Sequence, residues 1–202
     1  MAGLDLRAYL LSKFIPLAAM AALQAALMLT LVWVFKGTAG VQWMQLLGLT
    51  LAGWNGAALG LLISALATNA DRATAVVPLT MLPQIILGGV LIALPDMNAP
   101  TRAAADLSAA RWANGAMEAA AFHDRVMDEG LLRRPADFWP LWNLYPAYNL
   151  GAEDDRYRFV AEKTGERLGL AGAFALDAAA LTGLILVQLL ALAAVLKSQD
   201  AL

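Results

Sequence analysis

VQWMQLLGLTLAGWNGAALGLLISALA, residues 41–67, is a run of 27 amino acids without one charged side chain. That is far too long for a strand of a soluble sheet, so it reads as a helix. A helix rises ~1.5 Å per residue, and about 20 apolar residues cross the ~30 Å hydrocarbon layer of a membrane. Three further stretches have the same character. Residues 14–35 and 73–94 are 22 residues each with no charge, and residues 168–196 hold 29 with Asp177 alone. Four buried helices of a soluble bundle are the alternative, but nothing polar would cover their outer faces. The expectation is an all-α polytopic membrane protein of one transmembrane domain, residues 1–202. Its four spans fall near 14–35, 43–67, 73–94 and 170–196.

The whole composition agrees. Of 202 residues, 60% are hydrophobic and 15% are charged, with a mean hydropathy of +0.62. Soluble domains carry about 25% charged residues. The net charge of −2 offers no basic footprint for nucleic acid. There is no cysteine and a single histidine, which excludes disulfides, thiolate chemistry and multi-histidine metal sites. The first apolar stretch exceeds the ~7–15 residues of a signal-peptide core and reads as a retained helix.

Of the 30 charges, 21 lie between Asp96 and Arg167. Arg7, Lys13, Arg72 and Lys197 flank the spans on one side, and Lys36 alone lies in the short opposite loop. By the positive-inside rule both termini are expected in the cytoplasm, with 95–167 as an extracytoplasmic segment that is in part re-entrant or helical. Within it, Pro95 to Pro100 reads as a turn. Leu107 to Phe122 reads as an apolar helix too short to span, suited to a re-entrant or interfacial place. The aromatic stretch from Arg133 to Tyr148 suits a headgroup belt, with a ligand-stacking platform as the alternative. Glu153 to Leu168 reads as a helix leading into the last span.

Inside the membrane three features stand out. The second stretch carries Gly48, Ala52, Gly56, Gly60, Ser64 and Thr68 at four-residue intervals, and Gly56, Gly60 and Ser64 are expected to pack closely against another helix. Ala18, Ala22, Ala26 and Thr30 form a weaker version in the first. The third stretch contains Pro78, Thr80, Pro83, Gln84, Gly88 and Gly89. Its prolines predict a kink, and it either lines a pathway or is an ordinary lipid-facing helix. Asp177 is the ionisable residue within a span, and it either sits at the outer interface or serves as a relay. His123 with Asp124, Asp128 and Glu129 is a weak constellation. Lys163-Thr164 follows Glu162 rather than glycine, so the chain has no phosphate-cradling G-x-x-x-x-G-K-[ST] loop.

Several segments in order suggest a family. They are Leu61-Leu62-Ile63-Ser64-Ala65-Leu66-Ala67, Asn69-Ala70-Asp71-Arg72-Ala73, Val77-Pro78-Leu79, Leu82-Pro83-Gln84 and Leu87-Gly88-Gly89. Together they resemble the permease domain of type-2 ABC exporters of the G-subfamily kind. Ala8-Tyr9-Leu10-Leu11-Ser12-Lys13-Phe14 is similar to the entry to the third helix there. Residues 108–119, SAARWANGAMEA, are similar to the Ser-Pro-x-Arg-Tyr-x-x-Glu-Ala segment of the outer re-entrant helices. Ala109 stands where proline is frequent, and Trp112 replaces tyrosine. The resemblance implies that this chain supplies helices three to six of a six-helix permease.

It also implies a homodimer in a cell membrane, the bacterial inner membrane being expected. ATP and Mg would be bound by a nucleotide-binding domain on a partner or missing segment. This chain would bind no cofactor and would not be an enzyme. The pathway residues implied are Thr80, Leu82, Pro83, Gln84 and Ile85, with Gly88 and Gly89 bending the helix and Val90 and Leu91 as an apolar gate. The other reading of the same residues is a four-helix membrane interaction module without transport activity.

Overall fold

A computed structural model of the chain describes residues 6–36, 41–67, 69–89, 97–129 and 169–200. They form six helices: α1 Leu6–Lys36, α2 Gln42–Leu66, α3 Ala70–Leu87, α4 Ala99–Ala105, α5 Ala109–Glu129 and α6 Gly169–Asp200. The fold is all-helical, and no strand occurs among the described residues. Among the described residues, three segments are long and apolar enough to cross a membrane: Ala8–Phe35, Gln42–Leu66 and Phe174–Ser198.

The third expected span differs. α3 has 18 residues, Asp71 lies in its first turn, and the helix ends at Leu87 rather than running on to residue 94. Gly88 is its C-cap, and Gly89 takes φ 83°, a left-handed conformation that breaks the ladder and suits a residue without Cβ. α3 continues through Pro78 and Pro83. Each ring removes an N–H, which leaves the carbonyls of Thr74 and Leu79 without their i+4 donors.

α2 is the centre, touching α1, α5 and α6 extensively and α3 less so. Five of its buried positions, Met44, Gly48, Leu51, Asn55 and Ala58, step by four and three, as a period of 3.6 requires, with Gln45 and Ile63 buried beside them. The expected stripe at strict four-residue steps behaves differently. Each step of four turns the helix about 40° past a full revolution, so such a stripe rotates off any straight partner. Gly48 is accordingly buried, whereas Gly56, Gly60 and Ser64 are exposed. A Cβ built at Gly56 or Gly60 would meet nothing within 4 Å. The close approach to α1 falls instead at Gly53, where a Cβ would lie 3.0 Å from that of Ala21. Next to it the indole Nε1 of Trp54 donates to the carbonyl of Ala18 at 3.0 Å.

Pairings along the helices set their directions. Trp54 meets Ala18 and Gly53 meets Ala21, so α1 and α2 are antiparallel. Met44 clusters with Phe174, Asn55 bonds to Leu181, and Ala58 packs with Ile185, so α2 and α6 run the same way. Lys13, Arg72 and Lys197 therefore sit at one end of the bundle. α5 begins beside Leu51 and Leu181, deep in the bundle, where Ala109, Trp112 and Ala113 pack. It then returns toward the end where α2 starts, and there the Val41 N–H donates to the carbonyl of Ala120 at 3.0 Å. α4 packs against α3 and leads by a tight turn into α5, which lies between α2 and α6, a course compatible with the re-entrant element expected there.

Two boundaries in this segment differ from the sequence reading. Of the turn expected at Pro95–Pro100, Met97 and Asn98 are non-helical and Pro95 and Asp96 lie outside the described residues, while Ala99 and Pro100 already belong to α4, whose N-cap Asn98 accepts from the Thr101 N–H at 3.0 Å. The helix expected over 107–122 starts at Ala109 and continues to Glu129. The aromatic stretch 133–148 and the helix expected over 153–168 lie outside the described residues, as do Thr68, Val90 and Leu91 and the side chains of Arg7, Lys36 and His123.

Candidate functional site: a buried ion pair under the re-entrant helix

The re-entrant tip is the turn Asp106–Ser108, closed by Ser108 N–H to the Ala105 carbonyl at 2.8 Å. It places Arg111 in the first turn of α5, where the helix dipole disfavours a cation. Arg111 is nonetheless only 5% exposed. Two carboxylates compensate it. Its Nε lies 3.1 Å from Oδ1 of Asp106, and its Nη1 lies 3.7 Å from Oδ1 of Asp177 on α6. The Nε contact lies off the N–H axis, so it is an electrostatic contact without a hydrogen bond. The guanidinium carbon stacks 3.6 Å from the ring centre of Trp112, whose Nε1 donates to the Asp106 carbonyl at 2.7 Å.

Asp177 is 7% exposed and faces the protein interior rather than a wet interface. Room for it is made by Gly115, where a Cβ would lie 2.7 Å from Oδ2 of Asp177. Removing one partner of such a pair leaves an uncompensated buried charge, at a cost of about 3–5 kcal/mol. The charges are therefore locked to one another, and they tie α5 to α6.

One turn below, Asn55 is 1% exposed, and its Nδ2 donates to the carbonyls of Leu51 and Leu181 at 3.1 and 3.0 Å. That is a second polar clasp between α2 and α6. On the other side, Met44, Ala116, Ala119, Ala120 and Phe174 form an apolar cluster that seals α5 between those helices.

The residues singled out on α3 fall elsewhere. Leu82, Pro83 and Ile85 are exposed, Thr80 and Gln84 are half-buried, and no residue of the helix itself is buried. The Thr80 hydroxyl donates to the Val77 carbonyl at 2.8 Å. Gly88 and Gly89 are buried. Gly88 abuts the hairpin, since a Cβ there would lie 3.2 Å from that of Ala110 and 2.8 Å from the Gln84 carbonyl oxygen. The expected bend point thus meets the re-entrant tip.

The partnership of Arg111 with Asp177 escaped the sequence reading, although a signal existed. One cation in an apolar re-entrant helix and one carboxylate in an apolar span each require a counter-charge.

An all-helical chain with three candidate membrane spans and an internal ion pair joining α5 to α6 defines a polytopic membrane protein. The ABC-2 type transporter family model matches residues 1–122, and the chain belongs to that family. It is a membrane permease component of an ABC transporter, and membership implies association with an ABC ATPase. The match ends within α5, so it contains Arg111 but not Asp177. No curated protein and no solved structure matches the chain.

Proposed function

We propose that the chain forms part of the substrate pathway of an ATP-driven exporter, working as a homodimer in the bacterial inner membrane with both termini in the cytoplasm. The observation that carries the reading is the family match over residues 1–122. ATP and Mg are held by an ATP-binding cassette outside these 202 residues, whose sequence contains no phosphate-binding loop. The chain itself contributes no catalysis.

α3 provides the wall. Support comes from its position at the rim with no residue buried in its own chain, which leaves Thr80, Leu82, Pro83, Gln84 and Ile85 to a cavity or to the second copy. Val90 and Leu91 follow the Gly88-Gly89 break, and an apolar constriction at that point closes by dewetting. The cytoplasmic assignment rests on Lys13, Arg72 and Lys197 gathering at one end of the bundle.

The experiment places single cysteines at Val90 and Leu91 in native membranes. Crosslinking between copies at either position supports a gate on a dimer axis. Failure at both, with crosslinking at the exposed control Leu23, contradicts it.

A further inference from the structure

We propose that the start of α5 is a binding site for a buried water molecule, held between Asn55 of α2 and Ser108 in the turn before the helix. The site is built from groups within one chain and is independent of transport and of a second copy.

Helix register brings the two residues together. A Cβ at Gly48 would lie 3.6 Å from that of Ala116, and α2 and α5 run in opposite directions. Seven residues make nearly two turns, so a seventh step returns to the same helix face after a rise of about 10 Å. Seven steps on from Gly48 is Asn55, and seven steps back from Ala116 is Ala109, the first residue of α5. Asn55 therefore faces the start of α5. The packing agrees. Ala109 packs on the cluster of Leu51, Ala58, Leu181 and Ile185, and Leu51 and Ala58 flank Asn55 along α2.

Both side chains carry a buried polar atom that is not answered. Asn55 is 1% exposed. Its Nδ2 is engaged by the carbonyls of Leu51 and Leu181, but its Oδ1 has no hydrogen-bond partner among the described residues. Ser108 is 6% exposed, and its hydroxyl is likewise without a partner among them, so it does not cap the helix it precedes. Such buried orphans are rare in folded proteins. The opening N–H groups of a helix have no partner within it either. The site thus offers an acceptor at Asn55, a hydroxyl that can donate and accept at Ser108, and backbone donors at the start of α5.

A ligand that answers all of these is small, and it both donates and accepts. Water does so, and a buried water makes about three hydrogen bonds to polar groups of this kind. An ion fits less well, because Asn55 and Ser108 are neutral and the neighbouring Arg111 already lies against Asp106 and Asp177. The bridging water ties the start of α5 to α2, as Arg111 ties it to α6.

Two measurements on the purified chain in detergent decide the matter. X-ray radiolysis makes hydroxyl radicals from bound water as well as from bulk, and these oxidise the side chains beside it. Leu181 is 0% exposed, and its carbonyl accepts from Asn55, so it is the reporter. Phe174 is 4% exposed within the apolar cluster, and its ring is the more reactive group, so it shows whether the bundle stays closed. Leu181 should be oxidised in the parent and spared in Ser108→Ala and in Asn55→Leu, which fills the site. Ser108→Thr keeps a hydroxyl and should keep the signal.

The second measurement is a double-mutant cycle of unfolding with Asn55→Ala and Ser108→Ala. The two side chains share no direct hydrogen bond, so a coupling of about threefold to tenfold in the unfolding constant reports the water between them. Leu181 spared in the parent overturns the proposal, and so does oxidation that persists in Ser108→Ala with Phe174 still protected. Additive variants overturn it as well. Coupling with Leu181 spared means that Asn55 and Ser108 bond directly, which also overturns it.

Discussion

Three glycines on α2 offer a controlled test of the packing. Replacing Gly48, Gly53 or Gly60 by alanine gains the same helix propensity, about 1 kcal/mol, so any difference between them reports the neighbours. At Gly60 the new methyl meets nothing within 4 Å, and the propensity gain stands alone. At Gly48 it meets Ala116 Cβ and Met117 Sδ at 3.6 Å and Phe174 Cε2 at 3.9 Å. Those are ordinary contacts, worth roughly 0.1–0.2 kcal/mol each. At Gly53 it lies 3.0 Å from the Cβ of Ala21, which has no flexible end to yield. α1 must retreat as a body, and the Trp54–Ala18 hydrogen bond next to it stretches. Overpacking of this kind costs about 1–3 kcal/mol, which cancels or exceeds the propensity gain. The order of stability is therefore Gly48→Ala at or above Gly60→Ala, with Gly53→Ala about 1–3 kcal/mol lower. Unfolding in detergent micelles titrated with dodecyl sulfate, followed by circular dichroism, measures it. If Gly53→Ala proves as stable as Gly48→Ala, the α1–α2 approach is wrong.

Three further outcomes follow from single contacts. Trp54→Phe keeps the ring and loses its bond to the Ala18 carbonyl; interhelical bonds of this sort average about 0.6 kcal/mol and reach about 1.7, and the same titration should show a loss in that range. Trp112→Phe forfeits the donor to the Asp106 carbonyl and weakens the stack under Arg111, for a loss of about 1–2 kcal/mol; an unchanged midpoint would mean that the re-entrant tip is not held there. Asn69→Ala removes the side-chain acceptor that caps α3 at the Arg72 N–H, 2.9 Å away; a cost of about 0.5–2 kcal/mol is expected, read as faster amide exchange at Arg72 with no change at Thr101, whose cap is independent.

Much of this architecture was legible because lipid imposes so strict a rule on composition. The uncharged runs around Leu51, Leu23 and Leu186 had no place but long helices. Where the reading went astray, local geometry decided. The four-residue stripe through Gly56 and Gly60 looked like the packing face, but a helix of 3.6 residues per turn carries it away from the face marked by Leu51, Asn55 and Ala58. The break after Leu87 was visible as Gly88-Gly89, yet the point at which the ladder stops depends on Gly89 reaching a positive φ, and no pattern of hydropathy encodes that. α4 was hidden by Pro100, taken for a turn residue although proline also opens helices. The Arg111–Asp177 contact joins residues 66 positions apart. Each charge was conspicuous alone, and only the tertiary arrangement shows that they answer one another.

The central claim is that this chain is a transport wall powered from outside its own residues. Its most direct test is ATP hydrolysis by material purified through this chain from native membranes in mild detergent, measured before and after associated proteins are stripped away. The account predicts vanadate-sensitive hydrolysis that migrates with the complex, vanishes on stripping and returns when the stripped fraction is added back. Hydrolysis that persists in the stripped chain, or a complex that hydrolyses no ATP at all, would contradict it.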